Sequence, residues 1–561
     1  MAAQESYDAV LVGAGAVGGW IAKDLTEAGL TVAVLDAGRT LDPARDFNEH
    51  KRPWEMPFRG RRYGSQAAQA RQPIQKQCVM YDEYTAHQFI DDTENPYTTP
   101  PDRPFVWIRC RQVGGRSIVW ARHVYRYGDY DLKAASRDGF GVDWPFRYAD
   151  IAASYDKVES FIGVCGEAVG LPQLPDGKFL PPTRLNCGEE LLRTFVKNKF
   201  GRTLMIDRSA ILTRPLHGRQ KCHYCGPCSR GCMTRSYYSS WSSTLPAAAA
   251  TNRMTLIPNA VVSHVVVDDR GKGQGVYYVD RATRNHREVF GRVVILCASS
   301  FESVRIMLNS RSRIYPNGVA NSSGVLGHYL MDSARGGRAS GVLPMLRGVS
   351  DSPGNRPNGT LIVRFRNVDT KHPDFIRGYG LQGSASDVKW EHAYQTPGFG
   401  AEFKNTVRAS RDWRMTLSGF GDCLPYFENS CELDKEAVDA WGIPALHVNV
   451  AFGDNERKIA KDMGESAAEM LEAAGAEDIQ VSTALSTPGL STHEVGGARM
   501  GDDAKTSVLN EYSQAHDISN LFVMGGAGFP TSPCPNPTLT MMAVAARSCD
   551  YLVREYKAGR L

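Results

Sequence analysis

Tyr7-Asp8-Ala9-Val10-Leu11-Val12, running into Gly13-Ala14-Gly15-Ala16-Val17-Gly18 and closing at Asp36, is the stretch that decides how this chain folds. Tyr7 to Val12 is a nearly unbroken apolar run, the pattern of a strand buried on both faces of a parallel sheet. The G-x-G-x-x-G that follows opens a helix whose Val17, Ile21 and Leu25 recur every four residues as an inward face. Gly29 stands where a left-handed helix cap belongs, and Thr31 to Leu35 is a second strand ending in Asp36. Gly13 permits the tight turn, Gly15 lets backbone approach a pyrophosphate, and Gly18 lets helix and strand pack closely. The helix N-terminus offers free N–H groups to the phosphates. Asp36 is placed to accept hydrogen bonds from ribose hydroxyls, and its charge repels a 2′-phosphate. Strand, triplet, helix, strand and acid in register form a dinucleotide-binding βαβ unit, suited equally to FAD and NAD.

A chain of 561 residues exceeds the size at which one core stops growing, so at least two lobes are expected. A net charge of +4 is too small to argue for nucleic acid, and no apolar run reaches the roughly 18 residues of a membrane span. The first strand begins within ten residues of Met1, so no secretory signal is expected. Thirteen cysteines, four of them between Cys222 and Cys232, favour metal binding over a disulfide framework.

Beyond Asp36, residues 40–103 are rich in Arg, Gln and Pro with little periodicity, which predicts an irregular lid or partner-facing arm. Val113-Gly114-Gly115-Arg116-Ser117 places paired glycines between apolar strands, where backbone can pass close to something flat such as a flavin; a simple bulge is the alternative. Helices are expected within Asp143 to Cys165, with Ile151, Tyr155, Val158 and Ile162 as the period, and at Glu189 to Phe195. Met254–Ile257, Val261–Val267 and Gly275–Val279 read as a meander of short strands, followed by a buried strand at Arg292–Ala298 and a helix at Ser299–Leu308. A second lobe of sheet plus helix is expected at 336–488, with one clear helix from Glu456 to Ala474.

Cys222, Cys225, Cys228 and Cys232 follow C-x₂-C-x₂-C-x₃-C, the bacterial ferredoxin run without its proline, Met233 standing in that place. Four thiolates this close suit a [4Fe–4S] or [3Fe–4S] cluster. Zinc and plain or disulfide cysteines are the other readings, although structural zinc usually draws two separated ligand pairs.

The last seventy residues hold a His before a glycine-rich turn (His493 to Gly501), a strand ending in glycines (Asn520 to Gly528) and a helix opened by Asn536-Pro537-Thr538. Together with the opening βαβ unit, Gly114-Gly115 and the Val293–Leu308 strand and helix, these pieces resemble the glucose–methanol–choline (GMC) flavoprotein oxidoreductases. The likeness is to pyranose oxidases and bacterial flavin-dependent sugar dehydrogenases; in the second lobe it rests mainly on Pro425 to Asn429.

The resemblance implies an α/β protein with a Rossmann-type FAD-binding domain and a second α+β substrate domain. It implies that Gly13, Gly15, Val17, Gly18, Asp36 and Ala37 hold the ADP half of FAD, with Val261 near the adenine. Gly114, Gly115 and Ser117 would lie along the isoalloxazine, Gly526, Asn536, Pro537 and Thr538 near the flavin ring and ribityl chain, and Ala298 in the same cofactor-binding set. The catalytic pair falls on His493 and Asn536. Val119 stands where pyranose oxidases carry the flavin-linking His, so FAD is expected to be non-covalent.

The expected parts are residues 1–50 as the first piece of the FAD-binding domain, 51–104 as the arm, and 105–185 covering the flavin. Residues 186–240 carry the cysteines, 241–335 return to the FAD-binding domain, 336–488 bind substrate, and 489–561 complete the FAD-binding domain. The expected activity is oxidation of a sugar hydroxyl, C3 of a glucoside, with electrons leaving through the Fe–S cluster to a cytochrome or other acceptor. An O₂-reducing oxidase with structural zinc, and a non-catalytic electron-transfer subunit, are the alternatives. A small subunit bearing a twin-arginine signal is the expected partner. The chain itself would then be periplasmic by co-export, or else cytoplasmic.

Overall fold

The computed structural model describes residues 6–56, 70–351, 354–387, 393, 396–409 and 412–561. Strand Ser6–Val12 lies inside a seven-stranded sheet, with Ala9, Val10 and Leu11 fully buried. It pairs in parallel with Val32–Leu35 on one side (Leu11 opposite Val34) and His286–Leu296 on the other (Leu11 opposite Ile295). Helix Ala16–Glu27 buries Trp20, Ile21 and Leu25 and packs on helices Thr244–Ala250 and Thr538–Lys557. This is the expected Rossmann arrangement, and its contiguous apolar strand, glycine turn and amphipathic helix account for it.

The neighbour of Val32–Leu35 corrects one expectation. Met254–Ile257 is not part of a meander; it runs parallel to Val32–Leu35, Val32 opposite Met254, as the third strand of the nucleotide fold. The rest of the expected meander is present: Ala260–Val267 pairs antiparallel with Gly273–Asp280, which pairs antiparallel with the start of His286–Leu296. The end of that long strand is flanked instead by Leu521–Val523, again parallel. The flanks of Gly114-Gly115 are likewise not strands: Gly115–Ile118 is a single 3₁₀ turn, entered through Gly114 and Gly115 at φ +107° and +51°. Left-handed backbone at two successive residues bends the chain out of any ladder, and only glycine takes it at no steric cost.

The second sheet has six strands, all antiparallel in their pairing, in the order Glu477–Leu485, Ala334–Leu343, Trp413–Gly421, Tyr379–Asp387, Thr360–Ile362 and Leu204–Ile206. Trp413–Gly421 alternates strictly. Met415 and Leu417 are buried under helices Asp454–Ala473 and Cys187–Phe200, while Thr416, Ser418 and Phe420 occupy the opposite face. Ile459, Met463, Ala467 and Leu471 are all buried on that first helix, as its four-residue period predicts. Of the arm, residues 57–69 fall outside the described set; the remainder is irregular and is tied down at Asp92, whose carboxylate accepts from the Ile74 amide at 2.8 Å and the Gln75 side chain at 2.7 Å.

Candidate active site

The loop that carries His493 is anchored on one buried carboxylate. Asp332 accepts the backbone N–H groups of Gly489 (2.7 Å), Ser491 (3.3 Å) and His493 (3.0 Å), and the Ser491 hydroxyl as well. Burial, with the nearby charge of Glu494, pushes Asp332 up to about 6 despite those donors. Behind the loop, Glu494 pairs with Arg116 of the Gly114-Gly115 turn at 2.7 Å.

His493 Nε2 lies 3.0 Å from Nδ2 of Asn536, and Nδ1 lies 2.9 Å from Oγ of Ser333. Gln382, on the open face of the second sheet, donates to Oδ1 of Asn536 at 2.7 Å, which leaves the amide nitrogen to face the imidazole. The network therefore assigns an acceptor at Nε2 and the ring proton to Nδ1, donated to Ser333. Burial, then the charges of His123, Arg116 and Arg335, hold His493 down at about 3, so the ring is neutral. The two side chains singled out in the sequence meet directly. Ser333, Gln382 and Asp332 carried no motif; each becomes a partner only through tertiary pairing.

The glycines and the acid of the opening βαβ unit form a cradle. A Cβ on Gly13 would sit 2.4 Å from the Cys297 carbonyl, and one on Gly18 would sit 1.9 Å from the Gly13 carbonyl, so both positions need glycine. Nothing lies within 4 Å of the corresponding position on Gly15, and the helix that Val17 helps to open has no side-chain cap, leaving its first amides to an anion. Asp36 accepts from the Ala14 amide (3.0 Å) and the Gly38 amide (2.8 Å), and burial pushes it up to about 6. Each of its oxygens keeps a lone pair for a ribose hydroxyl. Ala37 and Val261 share an apolar cluster with Trp441 and Ile443 beside that carboxylate.

At the other end, Ser117 hydrogen-bonds the Gly114 carbonyl at 2.6 Å, and Ser240 bridges the two glycine segments. Its amide donates to Ser117 Oγ at 3.1 Å and its hydroxyl to the Ala14 carbonyl at 2.7 Å. Ser240 was not legible as a site residue. Ala298 follows the Cys297 backbone that abuts Gly13, and its amide donates to Ser303 at 3.1 Å. Gly526 is closed in by Met541 and Ser300, and Pro537 and Thr538 start the helix Thr538–Lys557 beside Asn536. These residues fit a dinucleotide laid from Asp36 towards Asn536.

Beside Gln382 and His123 opens a polar cavity of about 530 Å³, within the range of small-molecule sites. Arg122, Asp207, Glu189, Asn358, Thr416 and Ser418 line it. Cys222, Cys225, Cys228 and Cys232 line a separate cavity, which shares Asn355 and Pro357 with the first. The expected ligand geometry is not met: among the described residues no three His, Cys, Asp or Glu side chains are placed to share a metal ion. Burial and the adjacent sulfurs push the Cys225 thiol up to about 12. All thirteen cysteines are free.

Two family profiles, each described as GMC oxidoreductase, match residues 7–330 and 425–545. This chain belongs to the GMC oxidoreductase family. The family is one of FAD enzymes, and the cradle above fits that cofactor. Among its relatives, the 2-methyl-1,2-propanediol dehydrogenase of Mycolicibacterium austroafricanum is 28% identical, with 98% of this chain and 96% of that protein covered. The fructose dehydrogenase large subunit of Gluconobacter japonicus is 27% identical, with 99% of each covered. The fold is also that of Aspergillus oryzae RIB40 formate oxidase, solved to follow FAD modification, at 15% identity and a TM-score of 0.62 over 99% of this chain and 100% of that one. No helix among the described residues is long and apolar enough to cross a membrane.

Proposed function

We propose that this GMC oxidoreductase is a dehydrogenase that oxidises a sugar hydroxyl, at C3 of a glucoside-type pyranose, with His493 as general base. The observation that carries the reading is the 3.0 Å contact between His493 Nε2 and Asn536 beside a polar cavity. A neutral imidazole accepts the hydroxyl proton at Nε2, while Ser333 keeps Nδ1 oriented. Asn536, steadied by Gln382, turns its amide N–H from the imidazole to the substrate oxygen and fixes which hydroxyl is presented. A base so positioned contributes about 10² to 10⁴ in rate. FAD, held without a covalent link by Gly13, Gly15, Val17, Gly18, Asp36, Ala37, Gly114, Gly115, Ser117, Val261, Ala298, Gly526, Pro537 and Thr538, supplies the two-electron acceptor for the substrate carbon.

A [4Fe–4S] or [3Fe–4S] cluster on Cys222, Cys225, Cys228 and Cys232 would give electrons a one-at-a-time exit to a cytochrome or other acceptor. It requires the four sulfurs to draw together around the iron, since as placed they do not share a metal site. Support for this comes from their spacing and from their lining one cavity that adjoins the polar one. The relative from Gluconobacter japonicus is itself a large subunit, which supports a small partner subunit here; a twin-arginine signal on that partner would make the complex periplasmic.

The test is anaerobic purification, iron and FAD assay, and a visible spectrum on adding a panel of glucosides. Flavin bleaching by a glucoside, with about four or three iron atoms per chain, is expected. Rapid O₂ consumption without iron would identify an oxidase instead, and a flavin that no sugar bleaches would remove the catalytic reading.

A further inference from the structure

The polar cavity has an imidazole in its lining. His123 Nδ1 faces the carboxylate of Asp207, whose side chain is 2% exposed, and both residues line the cavity together with Gln382. Gln382, which lines the same cavity, is the side chain that holds Asn536 against His493. His123 is held on both sides by backbone. It bridges antiparallel to Ser209, with the Val124 amide on the Arg208 carbonyl and the Ala210 amide on the Arg122 carbonyl, each at 3.0 Å. Tyr125 lies nearly parallel to its ring, at 6.5 Å and 16°.

A His–Asp pair of purely structural use would be sealed, with its polar atoms satisfied. Here Asp207 Oδ1 and the Tyr125 hydroxyl are buried with no hydrogen-bond partner among the described residues. Tyr125 also lines a smaller pocket together with Gln382 and Phe420, whose ring is 5.7 Å from that of His493. Buried polar atoms left without partners in a native fold call for a ligand to satisfy them. A neutral His123 with its proton on Nδ1, the nitrogen that faces Asp207, offers Nε2 as an acceptor, suited to a hydroxyl donor.

We infer that His123, oriented by Asp207, binds a second hydroxyl of the substrate, adjacent to the one presented to His493, and thereby selects vicinal polyols over simple alcohols. His123 is in this account a substrate-binding residue and Asp207 the positioning residue behind it. The inference rests on the hydroxyl-oxidising reading and deepens it. A site built to pair a hydroxyl rejects the analogue that lacks it, because its own polar groups are then left unpaired.

The experiment is anaerobic stopped-flow bleaching of FAD-loaded enzyme by methyl β-glucoside and its 2-deoxy and 4-deoxy analogues. It uses the wild type, His123→Ala and Asp207→Asn, with FAD content and spectrum reporting the fold. In the wild type, kcat/KM is expected to fall about tenfold or more on one of the two analogues. His123→Ala should lose as much on the parent glucoside and little further on that analogue. Asp207→Asn, which keeps shape but not charge, should share the loss in smaller measure. A penalty of equal size in wild type and His123→Ala, or no penalty at either position in the wild type, overturns the inference alone. Failure of every glucoside to bleach the wild type overturns the hydroxyl-oxidising reading as well.

Discussion

Asn536 donates its amide to Nε2 of His493 at 3.0 Å while its carbonyl end accepts from Gln382 at 2.7 Å. One residue from the carboxyl-terminal segment is thus oriented by a strand of the second sheet and in turn faces the imidazole of His493. Replacing Gln382 frees the amide to rotate. Gln382→Ala is expected to lower kcat about tenfold, the worth of one hydrogen bond of about 1.4 kcal/mol, at unchanged FAD content, measured by steady-state assay with an artificial acceptor.

The pH dependence follows from the state of His493. An imidazole ordinarily protonates near 6.5, but burial and the surrounding positive charges hold this one at about 3. Loss of the base form requires protonation, so the acid limb of kcat/KM moves down with the depressed value. The profile is expected to stay level as pH falls from 7 to about 4.5, where an exposed histidine base would already have lost most of its activity.

Gly18→Ala addresses the cradle. Its Cβ would fall 1.9 Å from the Gly13 carbonyl, backbone against backbone in the tightest part of the turn. Relieving that contact displaces the helix N-terminus from the strand, with a stability loss of about 1–3 kcal/mol. The variant is expected to purify with little FAD, read by the 450 nm absorbance per chain, and with a lowered melting temperature.

What could be read in the sequence, and what could not, divides by the range of the interaction. Tyr7 to Asp36 encodes its turn, helix face and acid within thirty residues, and the structure reproduces each of them. The helix Asp454–Ala473 was legible for the same reason, from its buried four-residue period. Met254–Ile257 was not. Its partner Val32–Leu35 lies more than two hundred residues away, and its half-exposed edge position gave it the look of a meander strand. Gly114-Gly115 signalled close backbone, but not the left-handed pair that turns it into a 3₁₀ turn. Ser333, Gln382, His123 and Asp207 are ordinary residues in ordinary strands and loops, given meaning only by the sheet and cavity that gather them.

The cysteine run makes a prediction separable from the flavin chemistry. On the proposed Fe–S reading, Cys225→Ser removes the iron and the brown absorbance that the wild type would show. A glucoside should still bleach the flavin at near the wild-type rate, while turnover with a cytochrome acceptor falls at least tenfold. Iron assay and paired single-turnover and steady-state rates check this.

The most direct measurement is the anaerobic single-turnover rate of flavin bleaching by a glucoside in FAD-loaded His493→Ala against the wild type. A fall of about 10² to 10⁴, with the flavin spectrum before mixing unchanged, is the result predicted for a base at Nε2. Bleaching at the wild-type rate with FAD fully bound would contradict it.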